Sequence, residues 1–598
     1  MHLFGFSPEK TRQRVDHLYG AELARRSAGG SKFVELLTAI EQKSILLTNP
    51  DIFHYITHVF YRNPAYSTQN LLASLSRFPD LWLVDEFHIF AAHQETSLLN
   101  SIFLLRALYQ NTERPRQFLF TTATPKESFI HLLEKTGLRI KKIVGNYTDV
   151  DHAGYRIISQ EISLQFIPLS TDQNAVDWLL ANETTIATYL QREKKGRGLV
   201  ILNSVAAIRR LTNKLQIPDV EIICITGQID SRQRGENRQI LLNSEKPVLV
   251  LATSAVDVGV DFAIHLLIFE VSDLSVFIQR LGRLGRHPGF SHYQGIALIP
   301  STMPWVEARL QEQFTVGASY DRSELQTKMA EVLTDKWEYD EYRSRWGGLQ
   351  MEGLVEQLFT LKEDQSVLRP VIDDLLESLQ PIYGESMDHY RKQWHAIGQK
   401  REGKQIQEEL LQFRSSCDLQ VGVWDGQQFY TYDLLRLLPH IKGKVINREE
   451  FLTQAKTRGF TEYEFAADYL IGYIKVEQWL DRRQDINLFT SQDSEDLKTC
   501  ELTLISNLHI DGPLQGELRN IIKSHKLLAF LVPLGRRGSD RYWQLVRTLR
   551  LPATFGLYKL FTSDNQVLAC TFNQNALTME ALKYRIAKEF CRHQSYIY

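Results

Sequence analysis

Cysteine is scarce in this chain: five in 598 residues (Cys224, Cys417, Cys500, Cys570 and Cys591), far apart and with no C-x-x-C pair. That spacing argues against a zinc ribbon and for a reducing compartment, so a cytoplasmic location is expected. Long apolar runs are missing too. "LLAFLVPL", among the longest, falls far short of the roughly 20 residues that cross a bilayer, so no membrane is expected as a partner. The opening "MHLFGFSPEKTRQR" has no apolar core of a secretory signal. Nor is there an excess of either charge: 69 Lys and Arg stand against 71 Asp and Glu. A nucleic-acid partner would need a local basic groove, because the global field does not attract one. Internal repeats and low-complexity tracts are absent. What is present, 43% hydrophobic and 23% charged residues, is the composition of ordinary globular domains.

Short apolar runs with polar ends set the organisation. "SILLT" (44–48), "LWLVD" (81–85) and "RQFLFTTAT" (116–124) read as buried parallel strands. Helical stretches such as "SLLNSIFLLRALYQN" separate them. The style repeats in "GLVILN", "EIICIT", "PVLVLAT", "LLIFEV" and "GIALIP". The expected fold class is therefore α/β: two tandem doubly wound parallel-sheet domains, at 1–152 and 153–305. A charged helical region and linker follows at 306–412, its stretch 386–412 reading as an exposed helix or linker. A small α+β accessory domain with a hairpin at "YKLFTSDNQVLACTF" is expected at 413–598.

Four segments carry candidate chemistry. "LWLVDEFH" delivers Asp85 and Glu86 to a strand end, where open α/β sheets bind ligands. In a motor ATPase such an Asp holds Mg²⁺ through oxygen, and the Glu polarises the attacking water. The bland alternative is an ordinary acidic strand end. "TTATP" (121–125) offers the hydroxyls of Thr122 and Thr124, which could link a hydrolysis site to a bound strand, or could simply end a strand. "LATSAVDVGVDF" (251–262) places Thr253 at a strand end and Asp257, Gly259 and Asp261 in the next turn. A glycine there lets backbone approach phosphate or ribose, although a plain loop would use similar residues. "QRLGRLGRH" (279–287) is the most specific. Gln279, Arg283 and Arg286 recur at helical spacing, and such arginines can reach a γ-phosphate across a cleft. Gly282 and Gly285 each cost about 1 kcal/mol inside a helix, which a merely solvated basic face would not select.

Taken together and in this order, D-E-F-H, T-T-A-T-P, V-D-V-G-V-D and Q-R-L-G-R-L-G-R resemble a superfamily 2 helicase with two RecA-like domains. Within that group the chain resembles the CRISPR-associated helicase of type I systems, most of all the stand-alone type I-D helicase subunit. "ILLTNPDIFHYI" (45–56) and the phenylalanine of "DEFH" carry the narrower likeness. The resemblance implies ATP and Mg²⁺ as cofactors, with Asp85 on the metal and Gly259 and Asp261 at the nucleotide. It implies Glu86, Gln279, Arg283 and Arg286 in catalysis, and His88 with Thr122 and Thr124 in coupling. It implies contacts with single-stranded DNA at Thr48, Asn49, Asn203, Ser204, Thr226 and Thr253, which would position backbone phosphates without reading sequence.

Two departures from the family pattern stand out. Many relatives carry a metal nuclease built on a His-Asp dipeptide, which this sequence lacks. The resemblance then puts the nuclease on another subunit of a type I-D effector complex. His54 and His58, spaced i,i+4, lack the glutamate of a zinc protease motif and read as plain helix residues. The family's phosphate loop, G-x-x-x-x-G-K-S/T, should precede "SILLTNPD", yet only 43 residues do. "RRSAGGSKF" (25–33) has neither the spacing nor a following helix signal and reads as a flexible turn. The first domain is thus expected to be N-terminally incomplete, and the chain alone ATPase-deficient. An ATPase-dead DNA-binding scaffold and a fragment of a DExH RNA helicase are the alternatives. Tyr339, Tyr342 and Trp346 share a helical face that either stacks bases or, as the commoner use, packs a core.

Overall fold

The computed structural model describes the chain apart from residues 1–13, 28–29, 64–68, 109–115, 123–126, 145–158, 226–236, 238, 242, 254–261, 302, 304, 334–338, 360–364, 415–418, 427, 461–464, 466–469, 481, 513, 536–537, 550, 552–554 and 591–598. In the first domain β1 (Val15–Leu18) pairs in parallel with β2 (Ile45–Thr48), and β3 (Leu81–Val84) with β4 (Gln117–Phe120). Helices α1 (Gly20–Arg26), α2 (Lys32–Gln42), α3 (Pro50–Thr57), α4 (Gln69–Arg77), α5 (Ala92–Leu108) and α6 (Glu127–Lys135) lie between and after them. The segment expected as a flexible turn at 25–33 instead runs into α2, whose first turn buries Phe33. Its helix signal is faint because the buried stripe begins only after Lys32.

Strand periodicity explains an imbalance in this domain. Successive side chains point to opposite faces, and parallel strands are normally covered on both. One face packs: Leu46, Trp82, Val84, Phe118 and Phe120 rest against the core. The other does not. Leu47 and Leu83 are 58% and 57% exposed, and Ile45, Leu81 and Leu119 are exposed beside them. Among the described residues, β4 pairs only with β3.

The second domain shows the complete version. Its six strands are β5 (Ser163–Pro168), β6 (Arg197–Ile201), β7 (Glu221–Ile225), β8 (Val248–Ala252), β9 (Leu266–Glu270) and β10 (Gln294–Ile299). They run parallel in the order β5-β10-β9-β6-β8-β7. Alternate residues feed two cores: Leu199, Ile201, Val248 and Val250 on one face, Val200, Leu249 and Leu251 on the other. Helices α7 (Ala175–Ala181), α8 (Glu183–Gln191), α9 (Val205–Lys214) and α10 (Leu274–Leu281) make the crossovers. Five of the strands coincide with the apolar runs; β5, at the sheet edge, alternates in exposure and leaves no such run.

Helices α11 (Trp305–Gln313) and α12 (Arg322–Val332) pack on the second domain, with Val306, Leu310, Met329 and Val332 in its core. Beyond them, α13 (Gly348–Phe359), α14 (Gln365–Tyr383), α15 (Met387–Gly398) and α16 (Gly403–Leu411) share one core with the first domain. The stretch 386–412 is neither exposed nor a linker. Tyr390, Trp394, Ile397, Ile406 and Leu410 are buried in it. Gly348 and Gly353 make the notches: a Cβ at either would lie within 2.5 Å of the Tyr390 or Trp394 ring. The basic residues occupy the outer face, although Glu402 and Glu409 are buried, so the basic run misleads. Tyr342 and Trp346 are core residues, and the Trp346 Nε1 donates to the Leu577 carbonyl at 2.8 Å; the Tyr339 side chain lies outside what is described.

The C-terminal part holds two sheets. One orders β12-β11-β14-β13, from β11 (Gln420–Trp424), β12 (Phe429–Asp433), β13 (Ile441–Ile446) and β14 (Gly472–Trp479). The other orders β16-β18-β20-β19-β15-β17. Its strands are β15 (Asn487–Phe489), β16 (Leu502–Ile505), β17 (His509–Asp511), β18 (Leu527–Pro533), β19 (Tyr558–Phe561) and β20 (Val567–Phe572). The expected hairpin is β19–β20. Cys500 is in a disulfide, which the wide cysteine spacing does not foretell, because distance along a chain does not report distance in a fold. No helix among the described residues is long and apolar enough to cross a membrane.

His54 and His93 knit the first domain to the helices, and the His58 ring stacks on that of His54. His54 meets the Leu411 carbonyl at 2.9 Å and Ser97 Oγ at 2.8 Å; His93 meets the Gln412 carbonyl and Tyr342 Oη, each at 2.5 Å. His54 and His58 are thus plain packing residues, as their spacing suggests, and no cluster of metal-ligand side chains occurs among the described residues. Burial, first of all, holds the imidazole of His54 well below its usual range and brings His58 to about 3 and His93 to about 4. The folded values lie below the unfolded one, so protonation favours unfolding. Stability is complete above about pH 6.5 and is lost as pH falls toward 4, by about 1.4 kcal/mol per pH unit for each histidine. Thermal unfolding is expected to move down sharply between pH 7 and pH 5. The exposed strand face generates a second expectation: Leu47→Ser, Leu83→Ser and Leu119→Ser together lower self-association in light scattering. Because those side chains are already in water, they shift the melting point little.

Candidate functional site

The D-E-F-H turn is built around Phe87, which is buried against Phe90, Phe120 and Phe129. The Phe87 N–H donates to the Thr121 carbonyl at 2.9 Å, so the ends of β3 and β4 are laced together. With Phe87 fixed inward, Asp85 is left exposed and Glu86 half-exposed at the strand ends. Glu86 sits at φ 51°, the left-handed region, a strain that a functional turn commonly stores. The Asp85 carboxylate accepts from Thr121 Oγ1 and from the Glu86 N–H, the latter at 3.1 Å, which fixes its orientation.

His88 is buried and faces the second domain. In the tautomer protonated on Nε2, it donates to Gln279 Oε1 at 3.4 Å, and Nδ1 accepts from Thr122 Oγ1 at 3.3 Å. Glu86 Oε2 lies 3.5 Å from the same Nδ1. Glu86, His88, Thr122 and Gln279 therefore meet, although 191 residues separate His88 from Gln279.

Gln279 stands on α10, which Asp273 caps by accepting from the Val276 N–H at 2.9 Å. The sequence spacing suggested one helical face for Gln279, Arg283 and Arg286. That expectation fails: α10 ends at Leu281, with Gly282 as its cap, and both arginines lie in the following turn. Gly285 enforces the change of direction. Its φ is +68°, its carbonyl accepts from the Gln160 N–H at 2.8 Å, and a Cβ there would lie 3.2 Å from Gln160 N and Ile162 Cγ2. Arg283 is half-exposed and Arg286 exposed.

The residues expected at nucleic acid are placed as follows. Thr48 is exposed at the end of β2, and Asn49 caps α3 by accepting from the Ile52 N–H at 3.1 Å. Asn203 and Ser204 follow β6; Ser204 caps α9 through the Ala207 N–H at 3.4 Å. Thr253 is buried at the end of β8. Thr124, Thr226, Asp257, Gly259 and Asp261 lie outside the described residues. Sequence reasoning missed Thr121, which orients Asp85, and Arg280, which lies inside the motif. Thr121 opens the very "TTATP" already singled out, so a hydroxyl beside a strand-end carboxylate was the available signal.

Comparison with known proteins adds three findings. Residues 194–289 match the family described as "CRISPR-associated nuclease/helicase Cas3, C-terminal". The DUF1998 helicase MrfA bound to DNA and AMPPNP is structurally similar with a TM-score of 0.51 at 11% identity, covering 97% of this chain and 82% of that one. MrfA bound to DNA alone gives 0.50 at 11% identity over 96% and 81%. No curated protein matches by sequence. At this identity the likeness shows the fold alone, mixed α/β with tandem RecA-like parallel-sheet domains.

Gly285→Ala tests the built turn. Left-handed backbone and the close Gln160 and Ile162 contacts together are expected to cost about 1–2 kcal/mol. Gly30→Ala, where a Cβ would meet nothing within 4 Å, serves as the control in thermal unfolding.

Proposed function

We propose that this chain is the motor part of a superfamily 2 helicase that moves on single-stranded DNA with ATP and Mg²⁺. In this reading it serves a type I-D CRISPR effector complex whose nuclease belongs to another subunit. The observation that carries the proposal is the line Glu86–His88–Gln279, which joins a strand-end acid of one domain to the arginine-bearing segment of the next. The match of residues 194–289 to a Cas3 C-terminal family supports the CRISPR association. The type I-D reading rests on "ILLTNPDIFHYI", on the phenylalanine of "DEFH" and on the missing His-Asp dipeptide.

Bound ATP with Mg²⁺ would supply the phosphoanhydride bond whose hydrolysis drives movement. Asp85 suits the cation, since it offers an exposed carboxylate already oriented by Thr121. Glu86 would take the proton of the attacking water, and His88 would pass its state to Gln279. Arg283 and Arg286 would offset charge on the transferred group from the second domain. Gly259 and Asp261 would line the nucleotide. Thr48, Asn49, the loop formed by Asn203 and Ser204, Thr226 and Thr253 would follow the strand, with Thr122 and Thr124 between the two sites.

A second reading has its own support. None of the four strands described in the first domain runs into a glycine-rich loop, and one face of those strands is uncovered. A chain without a phosphate cradle binds DNA and docks on an effector complex but does not hydrolyse ATP. Titration of a fluorescent single strand, in DNA and in RNA, at low and moderate salt tests strand binding. Weak DNA binding that falls steeply with salt is expected; salt-independent affinity counts against a phosphate-tracking groove, and a preference for RNA against a DNA motor. ATPase assays with and without single-stranded DNA separate motor from scaffold. Residues 1–598 alone are expected to show negligible turnover. With a segment carrying a phosphate loop supplied, turnover appears, Glu86→Gln abolishes it while sparing nucleotide binding, and Arg286→Ala cuts kcat by about 10³-fold. Near-normal turnover in either variant removes that residue from the mechanism.

A further inference from the structure

Arg280 follows Gln279 directly, yet the function proposed above leaves it without a task. It is turned into its own domain and is 2% exposed. Its Nη1 donates to Asn203 Oδ1 at 2.8 Å and to the Glu270 carbonyl at 2.6 Å. Asn203 completes the circuit. Its N–H donates to the Glu270 carboxylate at 2.9 Å and its Nδ2 to the Val271 carbonyl at 3.4 Å. The ends of β6 and β9 and the last turn of α10 are thereby tied together by bonds that involve charged groups, the stronger class. Burial raises the Glu270 carboxyl above its usual range, against the Asn203 N–H, Arg280 and Arg210, which act to lower it.

A network of this kind costs desolvation, and well-packed apolar residues would hold a sheet end at least as firmly. What it supplies instead is one fixed geometry, because the hydrogen bonds are directional. It lies at the C-terminal edge of the parallel sheet, where ligands of such sheets bind. It also spends the Asn203 amide inward, so the loop meets a strand with Ser204 and the backbone rather than with that amide. The same short helix carries Gln279 toward His88, so one element sets both the strand loop and the interdomain contact.

We propose that Glu270, Arg280 and Asn203 form a strut that holds the Asn203–Ser204 loop in register with the phosphates of a single strand. Glu270 and Arg280 are positioning residues for nucleic-acid binding and do not touch nucleic acid. This rests on the reading of that loop as a strand contact. It makes a prediction whose sign opposes simple electrostatics. Removing a negative charge near a polyanion site would by itself tighten binding, whereas loss of the strut weakens it.

The test uses the full chain and a fluorescent oligo-dT strand. Glu270→Gln is expected to weaken binding roughly 2- to 30-fold, in the range of couplings carried through a network. Arg280→Lys, which keeps the charge but loses the rigid planar guanidinium that holds Nη1 between both acceptors, is expected to weaken it in the same range. The salt slope stays that of the unaltered chain, since no phosphate contact is deleted. Thermal unfolding of each variant is followed alongside, and if Glu270→Gln does not fold, Arg280→Lys decides. Glu270→Gln binding as tightly as the unaltered chain or more so, or Arg280→Lys binding unchanged, overturns the strut. A changed salt slope also overturns it, because it reveals a lost phosphate contact. Absence of binding by the unaltered chain sinks the functional reading and the strut with it; binding by that chain with unchanged variants sinks the strut alone.

Discussion

A parallel strand needs cover on both faces and presents its chemistry at one end, and the arrangement of this chain follows from those two demands. In the second domain both are met. Alternate residues of β6 and β8 feed two separate cores, and the strand ends deliver Asn203, Thr253 and Glu270 to a common edge. In the first domain only the second demand is met. Asp85, Glu86 and Thr121 reach their edge, while Leu47, Leu83 and Leu119 face solvent from the strands behind them. Parallel sheets in folded domains are almost never left that way. The strand-end acids and the uncovered face therefore belong to one and the same layer.

The rest of the chain supports that layer from its packed face. The first domain shares a core with α13–α16 and with the last sheet, so its stability comes from its helical flank rather than from sheet closure. Buried histidines complete this junction at carbonyls near the end of α16, where an apolar contact in place of His54 would leave the Leu411 carbonyl without that bond; the Gln412 carbonyl is shared by His93 and Gln574. On the opposite side, Arg209 of α9 pairs with Asp425 at 3.0 Å, fastening the second domain to the four-stranded sheet. The C-terminal half thus holds both α/β domains. Relative motion of those domains, on which any coupling through His88 and Gln279 depends, has to be absorbed within that half.

Legibility differed between strands and everything else. Central strands declared themselves because a strand buried on both faces is an unbroken apolar run, and "PVLVLAT" has no other use. The edge strand β5 was silent for the converse reason: half-buried alternation dilutes the signal. The helices 386–412 were misread because Lys and Arg cluster within the string, although Tyr390 and Trp394, one turn apart, decide its burial. Their partners are the notches at Gly348 and Gly353, some forty residues upstream. At the site, residue types and order were legible while the geometry was not. Arg283 and Arg286 have helical spacing from Gln279, but a glycine with positive φ ends that periodicity.

By itself the sequence determined which local segments are strands, which strand ends carry acids, hydroxyls and arginines, and that neither a His-Asp dipeptide nor an apolar run of bilayer length is present. These are properties of short windows, set by hydropathy, chirality and hydrogen-bonding capacity. Only the tertiary structure decided that Glu86, His88, Thr122 and Gln279 meet, that Arg280 turns inward while Arg283 and Arg286 stay accessible, and that one face of the first-domain strands is exposed. Such outcomes depend on which distant segments share a layer. Packing selects those partners collectively, and no window of sequence contains that information.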